Sequence, residues 1–318
     1  MNPTRREFLY SLAAATAMAG KLRGANSSRV NAIPAIDTHT HFYDPTRAEG
    51  VPWPPADSAQ LYAPHYPADF RAVSEPHRVV GTVVVEASPW VEDNAWILDL
   101  AKTNDNIVGL IGNLEPGRHE FARLLKRFLA NPLFLGLRFR GEINDRLHDQ
   151  AVEADIKRLA DEDLTLDLLG GETILEPTAV LARKFPTLRI VVNHLPFGDW
   201  SGDDSALDPA LTALVKHPNV FIKVSNVVRR VKGEIQTDPE FYRPVLDALS
   251  HQFGPDRLVF GSNWPVSNRV APYAVVRQVV NEYFATRDRN DAEKFFWRNS
   301  LDAYRWIPRG EALSLPIG

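Results

Sequence analysis

Eight short apolar runs, separated by stretches of helical periodicity, constrain this chain more than any other feature. The first includes Ala32, Ile33, Ala35 and Ile36 and leads into Asp37-Thr38-His39-Thr40-His41. The second, Val79-Val80-Gly81-Thr82-Val83-Val84-Val85, is nearly continuous in β-branched residues, as suits a strand buried on both faces. Residues 107–114, 133–139, 164–169, 188–192, 220–224 and 258–260 complete the set. Helical faces lie between them, one carried by Trp96, Ile97, Leu100 and Ala101, another by Phe121, Leu124, Leu125 and Phe128, and a third over residues 147–160. Strands that alternate with helices predict a parallel sheet, and eight such units in 318 residues predict one (β/α)8 TIM barrel. The rival architecture is an open doubly wound sheet, but no glycine-rich phosphate loop follows any run.

Two segments stand outside this rhythm. Residues 43–76 carry Pro45, Pro52, Pro54, Pro55, Pro64 and Pro67 among Trp53, Tyr62 and Tyr66, which predicts a long, stiff, aromatic loop after the first strand. It reads as a wall of the site or as a packed cover for the barrel. The N-terminus carries Arg5-Arg6 followed by Phe8-Leu9, then an alanine-rich stretch and the small-residue motif Ala17-Met18-Ala19. That pattern resembles a twin-arginine export signal cleaved near Ala19. Residues 1–30 are therefore expected to be signal peptide and short linker, residues 31–318 the barrel, and the mature protein periplasmic or secreted. The absence of cysteine excludes disulfides, zinc–thiolate centres, iron–sulfur clusters and thiol nucleophiles. A net charge of -4 argues against nucleic acid as a partner, and no apolar run reaches membrane-spanning length. A small molecule is the expected partner. Oligomeric state is not legible.

Active sites of such barrels form at the C-terminal ends of the strands, so the residues ending each run are the candidates. On a strand, side chains at i and i+2 leave one face, so His39 and His41 can converge where the first strand stops. They could then share a divalent cation, or each could have its own local partner. Glu86 ends the second strand, Arg138 and Arg140 the fourth, Asn193 and His194 the sixth, Lys223 and Ser225 the seventh, and Asn263-Trp264-Pro265 the eighth. The cations could bind a substrate carboxylate or a developing oxyanion, or be tied up in ion pairs. Glu86 could hydrogen-bond substrate hydroxyls, ligate a metal, or pair with one of these cations. Trp264 could line the pocket or belong to the core.

The segments Ile36-Asp37-Thr38-His39-Thr40-His41-Phe42, Val191-Val192-Asn193-His194 with the Leu195-Pro196-Phe197-Gly198-Asp199 that follows, and Phe260-Gly261-Ser262-Asn263-Trp264-Pro265-Val266 together resemble the amidohydrolase superfamily. The resemblance is to its amidohydrolase-2 branch, which includes lactonases, and it extends to the closing segment Phe296-Trp297-Arg298-Asn299-Ser300. It implies that His39, His41 and His194 bind a divalent metal, zinc or manganese, or polarise a carbonyl without one. Arg138, Arg140, Lys223, Glu86 and Trp264 would contact substrate. The expected activity is hydrolysis of a small lactone, with a decarboxylase, a hydratase or a catalytically silent carbohydrate-binding barrel as alternatives. One position departs from the pattern. The superfamily's usual residue at the end of strand eight is an aspartate that takes a proton from the attacking water, and here it is Asn263, which cannot act as a base near neutral pH.

Overall fold

The computed structural model describes residues 30–195 and 209–317. The expected signal segment and the residues that follow Leu195 lie outside that range. Strands β1 (Ala35–Thr40), β2 (Val79–Val85), β3 (Ile107–Gly112), β4 (Phe134–Arg140), β5 (Thr165–Leu169), β6 (Arg189–Val192), β7 (Val220–Val224) and β8 (Leu258–Phe260) pair in that order, and every pairing is parallel. The seam between β8 and β1 is drawn together by a parallel bridge from Thr40 to Trp264. Asn263 N–H donates to His39 O at 2.9 Å, His41 N–H to Trp264 O at 2.9 Å, and the Thr38 hydroxyl to Phe260 O at 2.6 Å. These bonds hold the ends of β1 and β8 side by side. The expected (β/α)8 barrel is the architecture found.

Almost every strand residue is buried, because one face looks into the barrel and the other packs under the helices. Helix Phe121–Leu129 shows how the outer layer forms. Phe121, Leu125 and Phe128 repeat at helical spacing and are buried, while Arg123, Lys126 and Arg127 face out. Close approach at the mouth of the site depends on one glycine. A Cβ on Gly261 would meet the His39 Cβ at 2.8 Å and the Ser225 Cβ at 3.2 Å, so only glycine lets β8 leave the barrel between those two residues.

Two boundaries differ from expectation. The loop after β1 does not run unbroken to residue 76, because Pro67 opens a helix, Pro67–Ser74, instead of preventing one. Proline at the first helical position lacks only an N–H that would have no partner there, and the Asp69 carboxylate accepts from Tyr66 N–H at 2.9 Å to complete the cap. The helix expected over residues 147–160 is Gln150–Asp161, with a separate turn at Glu142–Asp145. Among the described residues, no helix is long and apolar enough to cross a membrane.

Candidate active site

β1 delivers its two histidines as the strand period requires. His39 is the fifth residue of the strand and His41 lies one past its end. Their ring centroids are 4.9 Å apart, and the ring of His194, from the residue two beyond β6, lies 4.6 Å from that of His39. His39 and His41 are buried and His194 is partly open. His194 and Asn263 both adopt left-handed backbone, each with φ of 65°. For histidine that is a sparsely populated region, held here because the chain must turn sharply off the strand end while aiming the ring inward.

Each imidazole has a distinct tether. His41 Nδ1 is 2.9 Å from Val85 O, a group that can only accept, so Nδ1 carries the proton and Nε2 presents its lone pair to the site. Facing that nitrogen at 3.3 Å is Asn263 Oδ1, also an acceptor as oriented. His194 Nδ1 is 2.8 Å from Ser225 Oγ. His39 Nδ1 is 3.3 Å from Lys223 Nζ, and its Nε2 is buried with no partner. All three rings are kept neutral. Burial first, then Lys223, holds His39 well below the usual imidazole range. Burial and Arg138 bring His41 down to about 3, and burial, Arg138 and Lys223 act likewise on His194.

Two charged groups flank the histidines. On the β2/β4 side, Glu86 Oε1 accepts from Arg138 Nε at 2.9 Å and from Arg140 Nε at 2.9 Å, while Arg138 Nη2 donates to Glu86 O at 2.5 Å. Glu86 and Arg138 are buried, and Arg140 is 40% exposed. On the β5/β7 side, Lys223 Nζ donates to Asp167 Oδ2 at 2.7 Å, and both side chains are fully buried. Asn193 Nδ2 and the Tyr304 hydroxyl also donate to Asp167, at 2.8 and 2.9 Å.

Of the residues read from the sequence, His39, His41, His194, Lys223 and Asn263 come together in one cluster. Glu86, Arg138 and Arg140 form the group beside it. Trp264 is taken up in packing: its ring is 3% exposed, lies against Phe42, Phe70 and His65, and only its backbone carbonyl reaches His41. Trp53, from the proline-rich loop, is the tryptophan beside the histidines, 6.1 Å from the His41 ring. Between it and Glu86 is a small cavity of about 20 Å³, room for about one water, walled by Phe42, Tyr43, Val51 and Trp96 and bordered by Arg47. Asp167 and Tyr304 were not found by reading strand ends, since one lies in mid-strand and the other in the last helix. The signal existed: a carboxylate inside the apolar run Leu164 to Leu169 must have a buried partner.

Among the described residues, no three His, Asp or Glu side chains stand in chelating arrangement. In donor type the site still fits a divalent ion. Three neutral imidazoles are suitable ligands, the buried His39 Nε2 is unpartnered, and the facing His41 Nε2 and Asn263 Oδ1 lone pairs leave a position that a cation could occupy. Lys223 and Arg138 nearby oppose that ion electrostatically.

Fold and site together define a parallel barrel with three imidazoles clustered at the strand ends. The amidohydrolase family model matches residues 36–306, and the chain belongs to that family. It is 30% identical over 240 residues to an L-fucono-1,5-lactonase of Burkholderia ambifaria, covering 73% of this chain and 80% of the relative. It is 28% identical over 264 residues to a 4-sulfomuconolactone hydrolase of Rhizobium radiobacter, covering 76% and 79%. The fold matches a crystal structure of a zinc-bound amidohydrolase from Burkholderia multivorans with a TM-score of 0.74 and 22% identity, over 86% of this chain and all of that one.

Proposed function

We propose that this protein hydrolyses a neutral sugar lactone to its hydroxy acid. The observation that carries this reading is the charge balance beside the histidines. Arg138 and Arg140 share one carboxylate, Glu86, so that group has one net positive charge. It suits a substrate that is uncharged on arrival and becomes an anion as it reacts. A dicarboxylate would have to compete with Glu86 for both guanidinium groups. The similarity to an L-fucono-1,5-lactonase points the same way.

The lactone carbonyl would sit among His39, His41 and His194. His41 Nε2, with its lone pair turned inward, is the base that takes a proton as water oxygen bonds to the carbonyl carbon. Low in the resting site, its proton affinity rises as an oxyanion forms beside it. Collapse of the tetrahedral adduct breaks the bond from carbonyl carbon to ring oxygen. The His41 proton then passes to that oxygen, giving the hydroxy acid, whose carboxyl proton is lost to solvent to leave the carboxylate beside Arg140. Glu86 is engaged by two arginines, and Asn263 orients the water. A divalent ion held by His39, His41 and His194 would polarise the carbonyl when bound, but it would occupy His41 Nε2, so the base role of His41 belongs to the metal-free site. The ring substituents would lie toward Trp53.

A panel of aldono-1,4- and aldono-1,5-lactones, run alongside pyrone dicarboxylates and aromatic acids, tests the reading. Turnover of neutral sugar lactones is expected, and turnover confined to carboxylated substrates would refute it. Export by the twin-arginine route is proposed from Arg5, Arg6 and Ala17-Met18-Ala19. Replacing both arginines by lysine should then trap the precursor in the cytoplasm, whereas normal export would exclude that route.

A further inference from the structure

We infer that Lys223, held by Asp167, fixes His39 as the Nε2–H tautomer, so that His39 meets the substrate carbonyl as a hydrogen-bond donor while its neighbour His41 meets the site as an acceptor. The two histidines of one strand would then have opposite roles, set by what each Nδ1 touches.

The geometry leaves little freedom. An ammonium group has three protons to donate and no lone pair, so Lys223 Nζ at 3.3 Å obliges His39 Nδ1 to accept. A neutral imidazole has one N–H, which must then be on Nε2. That nitrogen is buried and has no acceptor in the protein. An unmet donor in such a place costs free energy unless a ligand supplies the acceptor. A lactone carbonyl, and more so its oxyanion, is such an acceptor. For His41 the logic reverses, because Val85 O makes Nδ1 the donor and frees the Nε2 lone pair.

Asp167 makes the ammonium dependable. It takes Lys223 at 2.7 Å and Asn193 at 2.8 Å on Oδ2, and the Tyr304 hydroxyl at 2.9 Å on Oδ1. Burial alone would disfavour a charge on Lys223, and the 2.7 Å bond to Asp167, which has donors at both oxygens, opposes that and holds the ammonium form. Asp167 and Tyr304 are thus positioning residues, acting on His39 through Lys223. There is a consequence for metal as well. Ligation through His39 Nε2 would require the other tautomer, and hence loss of the Lys223 bond, so this pair also weakens the site's hold on a divalent ion.

Long-range proton–nitrogen correlation spectra of the chelator-treated, histidine-labelled protein test this directly, with His39 assigned by the signal lost in His39→Gln. Wild type should show His39 protonated on Nε2 and His41 protonated on Nδ1. Finding His39 protonated on Nδ1 overturns the inference without any need for a folded variant. Lys223→Met should move His39 toward the Nδ1–H form and lower kcat by about 10²-fold, as for loss of an oxyanion donor, with KM changed far less. The same substitution should tighten zinc binding, read by titration. An unchanged tautomer and unchanged kcat in Lys223→Met would also overturn it. The role as carbonyl donor rests on the lactonase reading, whereas the tautomer is read with no substrate present, so the two can fail separately.

Discussion

The two charged groups beside the histidines are built from similar residues and differ in what surrounds them. Glu86 has two arginines, one of them 40% exposed, and the group opens toward the mouth of the barrel. Asp167 has one lysine, an asparagine and a tyrosine, and both charged side chains are sealed from solvent. The open group has a spare positive charge and a part-exposed member, which suits contact with a substrate that comes and goes. The closed group is neutral overall, with donors on both Asp167 oxygens, which suits holding a neighbour in place. A buried ion pair is weak support for stability but gives a defined geometry when both charges are hydrogen-bonded.

The comparison breaks most visibly at Asp167. Asp167→Ala leaves Lys223 buried without its counter-charge and should cost about 3–5 kcal/mol in urea unfolding. Joint replacement Asp167→Leu with Lys223→Met should recover most of that stability without recovering activity. If the single change costs less than about 1 kcal/mol, the closed group is not the sealed pair described. Glu86→Gln should be milder, on the order of 2 kcal/mol, because Arg140 can turn into solvent.

pH sharpens the contrast next, since the histidines feel Lys223 on one side and Arg138 on the other. His41 is held to about 3 in the folded protein, against the usual 6.5 when unfolded. Between those values the unfolded chain binds more protons, so stability should fall as pH drops below 6.5, by about 1.4 kcal/mol per unit for each such histidine. His41→Gln should flatten that slope by close to one proton, and an unchanged slope would refute the assignment. The acid limb of the activity profile should likewise lie below 6.5.

Asn263→Asp should have a smaller effect. A carboxylate beside the imidazoles favours their charged forms and offers a cation an anionic ligand, so zinc should bind about 10-fold tighter, near 1.4 kcal/mol. Isothermal titration with zinc checks this. Arg140→Met should change least in stability, by under about 1 kcal/mol, because its side chain is 40% exposed and Arg138 keeps Glu86 paired. Its effect should appear as a raised KM for the lactone, and a loss of kcat with KM unchanged would place Arg140 in the chemistry instead.

Much of this was legible before any coordinates. The alternation of apolar runs determined the barrel, because a strand buried on both faces needs helices outside it and a parallel neighbour on each side. Once the barrel was inferred, the rule that sites form at strand ends selected His39, His41, Glu86, Arg138, Arg140, His194, Lys223 and Asn263. Local spacing could do that much, since i and i+2 share a face whatever else the chain does. What only the tertiary structure decided was partnership. Glu86 meets Arg138 and Arg140 across 52 and 54 residues, Lys223 meets His39 across 184, and Tyr304 meets Asp167 across 137. No local pattern encodes which carboxylate takes which cation or which ring nitrogen keeps its proton. Those choices depend on distances that exist only when the sheet closes, and on burial that makes an unpaired polar atom expensive only once water is gone.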